Sequence, residues 1–245
     1  VDIRLVGANV TPDNPFTPSV LTAPVTISEQ AASSFSALLQ QIPIRSDRGV
    51  RPTSGRTPGL YGTPSNGSAC DVVTLANYLD ADPGAAGEWA SVLGLTPQQI
   101  PYYLNTLSPV VLMGDTWVTS YIRDDVGTPY QAVLQAGNAV LVDRLGVPRV
   151  HCASGAPLTP PSGDNFSRYS VTGDGWPRFT QQSVLVIKYA ADDHTPEIAN
   201  LTLIDIGTGQ QVEHKPGADI DLGGRSIELP DPAAMNVAPV DHLRK

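Results

Sequence analysis

The sequence has no apolar run approaching the roughly 20 residues that carry a helix across a membrane, so no transmembrane segment is expected in this chain. Charged residues are sparse, 16% of the 245, while apolar residues make up 41%. That balance excludes charge-driven disorder of the whole chain. Basic residues are outnumbered, 15 Lys and Arg against 24 Asp and Glu, for a formal charge of −9. A uniformly basic surface is thereby excluded, and no nucleic acid is expected as a partner. Catalytic signatures are missing as well. There is no Gly-x-Ser-x-Gly elbow, no Walker loop, no Gly-x-Gly-x-x-Gly, no His-Glu-x-x-His and no cysteine-rich zinc framework. No cofactor and no metal is expected.

What is plentiful is glycine and proline, 22 and 23 residues. Their combined share, about half again the usual one, makes a mainly helical bundle a poor reading and calls for many turns. At this length the chain can bury a substantial core.

The opening VDIRLVGANV alternates as a strand. SEQAASSFSALLQQI reads as a helix capped by Ser28, with Phe35, Leu38, Leu39 and Ile42 at helical spacing. Residues 43–69 read as a long surface loop. Residues 70–108 carry three helical signals: Val72, Leu75, Ala76 and Leu79 after Asp71; Asp82-Pro83 before Trp89, Val92, Leu93 and Gly94; and the Thr96-Pro97-Gln98-Gln99 capping box. VVLMGDTWVTSYI reads as one or two strands, 129–136 as a short helical turn, and NAVLVD-RLG-VPRVHC as a hairpin. After a second loop at 153–180 come strands in SVLVIKYAA, LTLIDI and QQVEH, and a weak one at 225–229.

These elements define an α+β fold, a mixed or antiparallel sheet with a cluster of three short helices inserted between strands. The expected organisation is a main domain at 1–180 and a β-rich segment at 181–245 packed on it.

Chemistry-bearing residues are few. His151 ends a strand beside Cys152, and Asp115 makes a polar step in the apolar run MGDTWVT; these two are the catalytic candidates. Adjacent strand residues point to opposite faces, which argues against a Cys152–His151 thiol pair. Arg45, Arg48, Arg51 and Arg56, with Arg149, are candidate binding residues; no aromatic interleaves with the first four until Tyr61, so base stacking is weakly supported. For a metal, His194 with Asp192 and Asp193 is the densest group. Asp219-Ile220-Asp221 with Gly223-Gly224 fails as a calcium loop because Pro230 stands where a bidentate Glu is needed. Cys70 and Cys152 allow one bridge, whose loop of about 80 residues would contribute roughly 4–5 kcal/mol. Two buried thiols or one reactive thiol are the alternatives. A bridge would place the domain outside the cytoplasm, and the start at Val1 suits a processed product or a trimmed one.

PFTPSV (15–20), CDVVTLANYLDADPGAAGEWASVLG (70–94), LSPVVLMGDTWVTSYI and LQAGNAVLVDRLGVPRVHCASGAPL (134–158) together resemble an uncharacterised actinobacterial domain family of unknown function. Its members are exported or membrane-attached envelope proteins. The resemblance covers roughly residues 14–160. The family pattern has a further cysteine and an asparagine where this chain has Ser154 and Ala156, which leaves Cys70–Cys152 as the one intrachain bridge. The resemblance implies a secreted or envelope-attached domain, with an envelope protein or cell-wall polymer as partner. The expected function is non-enzymatic binding, the alternative a hydrolase of glycan, peptide or ester using Asp115, His151 or dispersed carboxylates.

Overall fold

The computed structural model describes residues 2–45, 49–163, 165–189 and 196–235. Alternation in the opening residues yields strand β1 (Asp2–Val6), with Ile3 buried and Arg4 exposed. Helix α1 (Glu29–Gln41) starts where Ser28 accepts a hydrogen bond from the Ala31 amide, satisfying one orphan donor of the first turn. Strands β2 (Arg51–Ser54) and β3 (Tyr61–Thr63) follow.

The helix cluster then forms as the caps dictate. Asp71 caps α2 (Val72–Ala81), Asp82 caps α3 (Pro83–Leu93), and Gly94 closes α3 in the left-handed conformation at φ 70°. A 3₁₀ turn at Pro97–Gln99 leads into α4 (Ile100–Thr106), with the Gln99 side chain accepting from the Thr96 amide at 2.9 Å. Among the described residues ten further strands follow: β4 (Ser108–Leu112), β5 (Thr116–Ile122), β6 (Thr128–Leu134), β7 (Ala139–Val142), β8 (Pro148–His151), β9 (Ala156–Pro157), β10 (Ser170–Thr172), β11 (Leu185–Lys188) and the pair β12 (Leu201–Asp205) and β13 (Gln211–His214).

The strands make two mixed sheets. The first runs β10-β1-β6-β5-β11-β2, parallel except for β5–β6. The second runs β13-β12-β3-β4-β7-β8-β9, antiparallel except for β12–β3. The chain crosses between sheets repeatedly, at β2–β3, β4–β5, β6–β7, β9–β10 and β11–β12, and Thr119 of β5 exchanges both backbone hydrogen bonds with Thr159 beyond β9. This is the α+β fold with the helix cluster between β3 and β4.

A large core gathers residues from both sheets and all four helices. The opposite face of the first sheet carries a smaller core of Ile3, Val50, Trp117, Val133, Phe166, Val184 and Val186. The two-residue period of the strands divides them: in β11, Leu185 and Ile187 join the large core and Val186 the small one.

Four readings of the sequence change. Residues 129–134 are extended in β6 rather than turned, because Ala132 and Leu134 fill one face and Gln131 and Val133 the other. The stretch 43–69 gives β2 to one sheet and β3 to the other, burying Val50, Leu60 and Tyr61. Pro52 is accommodated because β2 is an edge strand. The stretch 153–180 lays Phe166 and Tyr169 edge-on against Trp117, at centroid distances of 5.3 and 5.5 Å. No strand forms at 225–229.

Cys70 and Cys152 are disulfide-bonded across 82 residues, joining the start of α2 to the end of β8. The arm at 16–22 sutures both sides of this bridge. Phe16 and Thr17 donate to the Ser154 carbonyl, Val20 donates to Cys152, Thr22 donates to Ala69, and Asp71 donates back to Val20.

Candidate functional site

The two catalytic candidates occupy separate places. Asp115 lies at the crossing from β4 to β5, where Gly114 lets the chain pass close to Phe35 and Leu185. One carboxylate oxygen accepts from the Ala136 amide at 2.8 Å and the other from the Trp176 indole at 3.0 Å. Burial pushes its pKa up, against the pull of those two hydrogen bonds.

His151 is 1% exposed and bonds to Ser154 Oγ through Nδ1 (3.0 Å) and to Asn138 Oδ1 through Nε2 (2.9 Å). The Asn138 amide nitrogen donates to the carbonyls of Val6 and Gln135, so its oxygen must face the ring. The ring therefore carries its proton on Nε2 and accepts from the Ser154 hydroxyl, which itself accepts from the Ala156 amide. A serine donating to a histidine held by an asparagine has the connectivity of a nucleophile relay. Here Asn138, His151 and Ser154 are all buried, which closes the group to substrate. Without solvent, the neutral ring is favoured, and its pKa falls to about 4.

Arg149, on β8, is fully buried. Its Nε donates to the Tyr103 hydroxyl at 3.2 Å and a terminal nitrogen donates to the Met235 carbonyl at 3.3 Å. Asp143 lies in its field, also buried, with one oxygen accepting from the amides of Leu145 and Val147. Burial raises the pKa of Asp143, and Arg149 opposes the rise. Tyr103 is pushed up to about 12 by burial. This group ties the hairpin to α4 and to the segment at 231–235.

The side chains of Arg51 and Arg56 are tied to backbone carbonyls. Arg51 donates to Gln182 at 2.7 Å, to Leu39 at 2.9 Å and to Ile42, so it satisfies the last carbonyls of α1. Arg56 donates to Pro196. Arg45 forms the bridge with Val50. Arg48 lies outside the described residues, as do His194, Asp192 and Asp193; among the described residues no cluster of three metal-ligating side chains occurs. Asp115, Arg149 and His151 bond to different partners among the described residues: Ala136 and Trp176, Tyr103 and Met235, and Ser154 and Asn138.

Two adjoining cavities lie along the outer face of α2. One cavity of about 410 Å³ is bordered by Cys70, Asp71, Val73, Ser108, His214, Lys215 and Asp219. A second, of about 450 Å³, is framed by Val73, Ala76, Leu79, Ile100, Ile220 and Leu222, with Pro83, Pro97 and Pro101. Both are walled by Val73, so they form one groove between α2 and the strap at 215–222. The strap is pinned to the helix cluster: Gly217 donates to Ser108 Oγ, and Ala218 and Ile220 donate to Asn105. Val73 is 45% exposed.

Sequence reading missed this groove. Its three prolines each sit in the first turn of a helical element, where they read as punctuation. The available signal was Val73 itself, an apolar residue off the buried stripe of Val72, Leu75 and Leu79.

Residues 51–217 match the model of a family described as domain of unknown function (DUF6777), and the chain belongs to that family. The match begins at β2 and ends within the strap. No curated protein and no solved structure matches the chain. Among the described residues no helix is long and apolar enough to cross a membrane.

Proposed function

We propose that this chain is an exported domain of an actinobacterial cell envelope whose work is binding, with the groove along α2 as its site and a partner protein as its ligand. The observation that carries this reading is the exposed Val73 at the junction of two cavities. An apolar side chain left at a solvent-facing helix position, in a concave surface, is what an interaction site retains. The disulfide supports an oxidising location. It also sets the position of α2, since Cys70 precedes the Asp71 cap and lines the groove.

A cell-wall polymer suits this groove less well, because no Phe, Tyr or Trp lines either cavity to pack against a sugar face. A hydrolase built on Asp115 and His151 would require both to face one open pocket, whereas each is enclosed by its own hydrogen bonds.

The test is retention of purified protein on isolated envelopes by co-sedimentation. Wild-type protein should be retained, and Val73→Lys should lose at least tenfold in affinity. Pretreating envelopes with protease should abolish retention, while a cell-wall glycan hydrolase should leave it intact. Equal retention of wild type and Val73→Lys would refute the groove as the site. Loss after the glycan hydrolase alone would assign the ligand to the polymer.

A further inference from the structure

We infer that the cavity framed by Pro83, Pro97 and Pro101 takes an apolar side chain of the partner polypeptide, and that Asp80 and Asp221 hold a lysine or arginine beside it. The inference rests on the groove being the binding site proposed above. It adds the chemistry of the ligand.

The cavity has two kinds of wall. Its floor is apolar: Ala76 and Leu79 of α2, Ala86 of α3, Ile100 of α4, and Ile220 and Leu222 of the strap. Proline rings close it at the first turns of α3, the 3₁₀ turn and α4. On its rim Asp80 comes from α2 and Asp221 from the strap, both exposed, and no basic residue lines this cavity. Among the described residues neither carboxylate is ion-paired; the ion pairs are Arg123–Asp82 and Arg144–Glu197. The partial positive charge at the start of α3 is already met by Asp82, which caps the helix.

An apolar floor under two unpaired carboxylates is complementary to an aliphatic side chain flanked by a cation. A free hydrophobic amine would fill this cavity alone. A polypeptide continues past Val73 into the second cavity, where Lys215 and Asp219 offer charges of both signs.

The experiment is fluorescence polarisation with a fluorescein-labelled nonapeptide carrying one leucine between lysine pairs. One control replaces the leucine with serine, and the other replaces the lysines with glutamates. The leucine–lysine peptide should bind, more weakly at 300 mM than at 50 mM NaCl. The serine control should lose at least tenfold and the glutamate control should not bind. The Asp80→Asn/Asp221→Asn variant, whose amides keep the local hydrogen-bond acceptors, should lose about fivefold and most of its salt dependence. Equal binding of the serine control, or an unchanged affinity of the double variant, would overturn the inference. If all three peptides fail while Val73→Lys still loses retention on envelopes, the ligand chemistry is wrong and the groove stands. If Val73→Lys retains wild-type affinity for both peptide and envelopes, both readings fall.

Discussion

The buried His151 should make the protein lose stability on mild acidification, by an amount its surroundings set. In the folded chain the ring takes up a proton only near pH 4, against 6.5 for the unperturbed side chain. A depressed histidine pKa means that the unfolded chain binds the proton first. Stability is therefore complete above pH 6.5 and falls as pH drops from there towards 4. Between pH 7.5 and pH 5 the loss is about 2 kcal/mol by proton linkage. Asp115 and Asp143, whose pKa values burial raises, act with the opposite sign. The folded chain protonates them first, so they add stability as pH falls. Asp82, Asp124 and Asp205 have lowered values and lose their contributions only below the ordinary carboxylate range, outside this window.

The histidine's share is isolated by comparing wild type with His151→Gln in urea denaturation at pH 7.5 and pH 5.0, followed by tryptophan fluorescence. The variant should be less stable by about 1–3 kcal/mol at pH 7.5, because Asn138 or Ser154 is left without its partner. Its stability should then drop by about 2 kcal/mol less than that of wild type on going to pH 5. Ring nitrogen chemical shifts at pH 7 should report a proton on Nε2. Identical pH slopes for the two proteins, or a proton on Nδ1, would refute the hydrogen-bond assignment that fixes the neutral ring.

Replacing both cysteines, Cys70→Ser with Cys152→Ser, should cost about 4.5 kcal/mol on the loop-entropy model, measured as a shift in the urea midpoint against the oxidised protein. Gly146→Ala should be among the most destabilising single changes, above about 2 kcal/mol. Gly146 sits at φ 80°, and a Cβ there would lie 2.3 Å from the Gly55 carbonyl oxygen; an unchanged melting temperature would contradict the contact. Trp117→Ala should cost about 3–5 kcal/mol and open residues 165–179 to limited proteolysis, since Phe166 and Tyr169 rest on that ring. Val73→Lys should leave the melting temperature within about 1–2 °C of wild type, as an exposed substitution does.

Capping residues and strand alternation made much of this architecture legible from the sequence. Ser28, Asp71, Asp82 and Thr96-Pro97 begin helical elements where their side chains or rings satisfy helix ends locally. The β7–β8 hairpin follows from two apolar runs about a tight turn. Elements without a local rule were missed. Strands β2 and β3 have four and three residues, too few for a period, and each pairs with a strand more than 130 residues away, β11 and β12, with β4 on the other side of β3. The small core behind Trp117 draws Phe166 and Tyr169 from a stretch whose aromatics follow no period, so only the sheet they cover reveals them.

The candidate site followed the same division. Polar residues in apolar runs, Asp115 and His151, were easy to single out, yet each sits where burial demands that its own hydrogen bonds be met. The groove was hidden because its makers have local roles: Pro83, Pro97 and Pro101 lie in the first turns of helical elements, Asp221 accepts from the Gly223 amide, and Asp80 is an exposed helix carboxylate. Val73 alone had none. Helical spacing placed Val72, Leu75 and Leu79 inward and left Val73 facing solvent. A side chain that local rules leave unexplained marks the surface proposed above to bind. Asp115, His151 and Arg149 lie instead in the interior, where their hydrogen bonds join strands, the hairpin and α4.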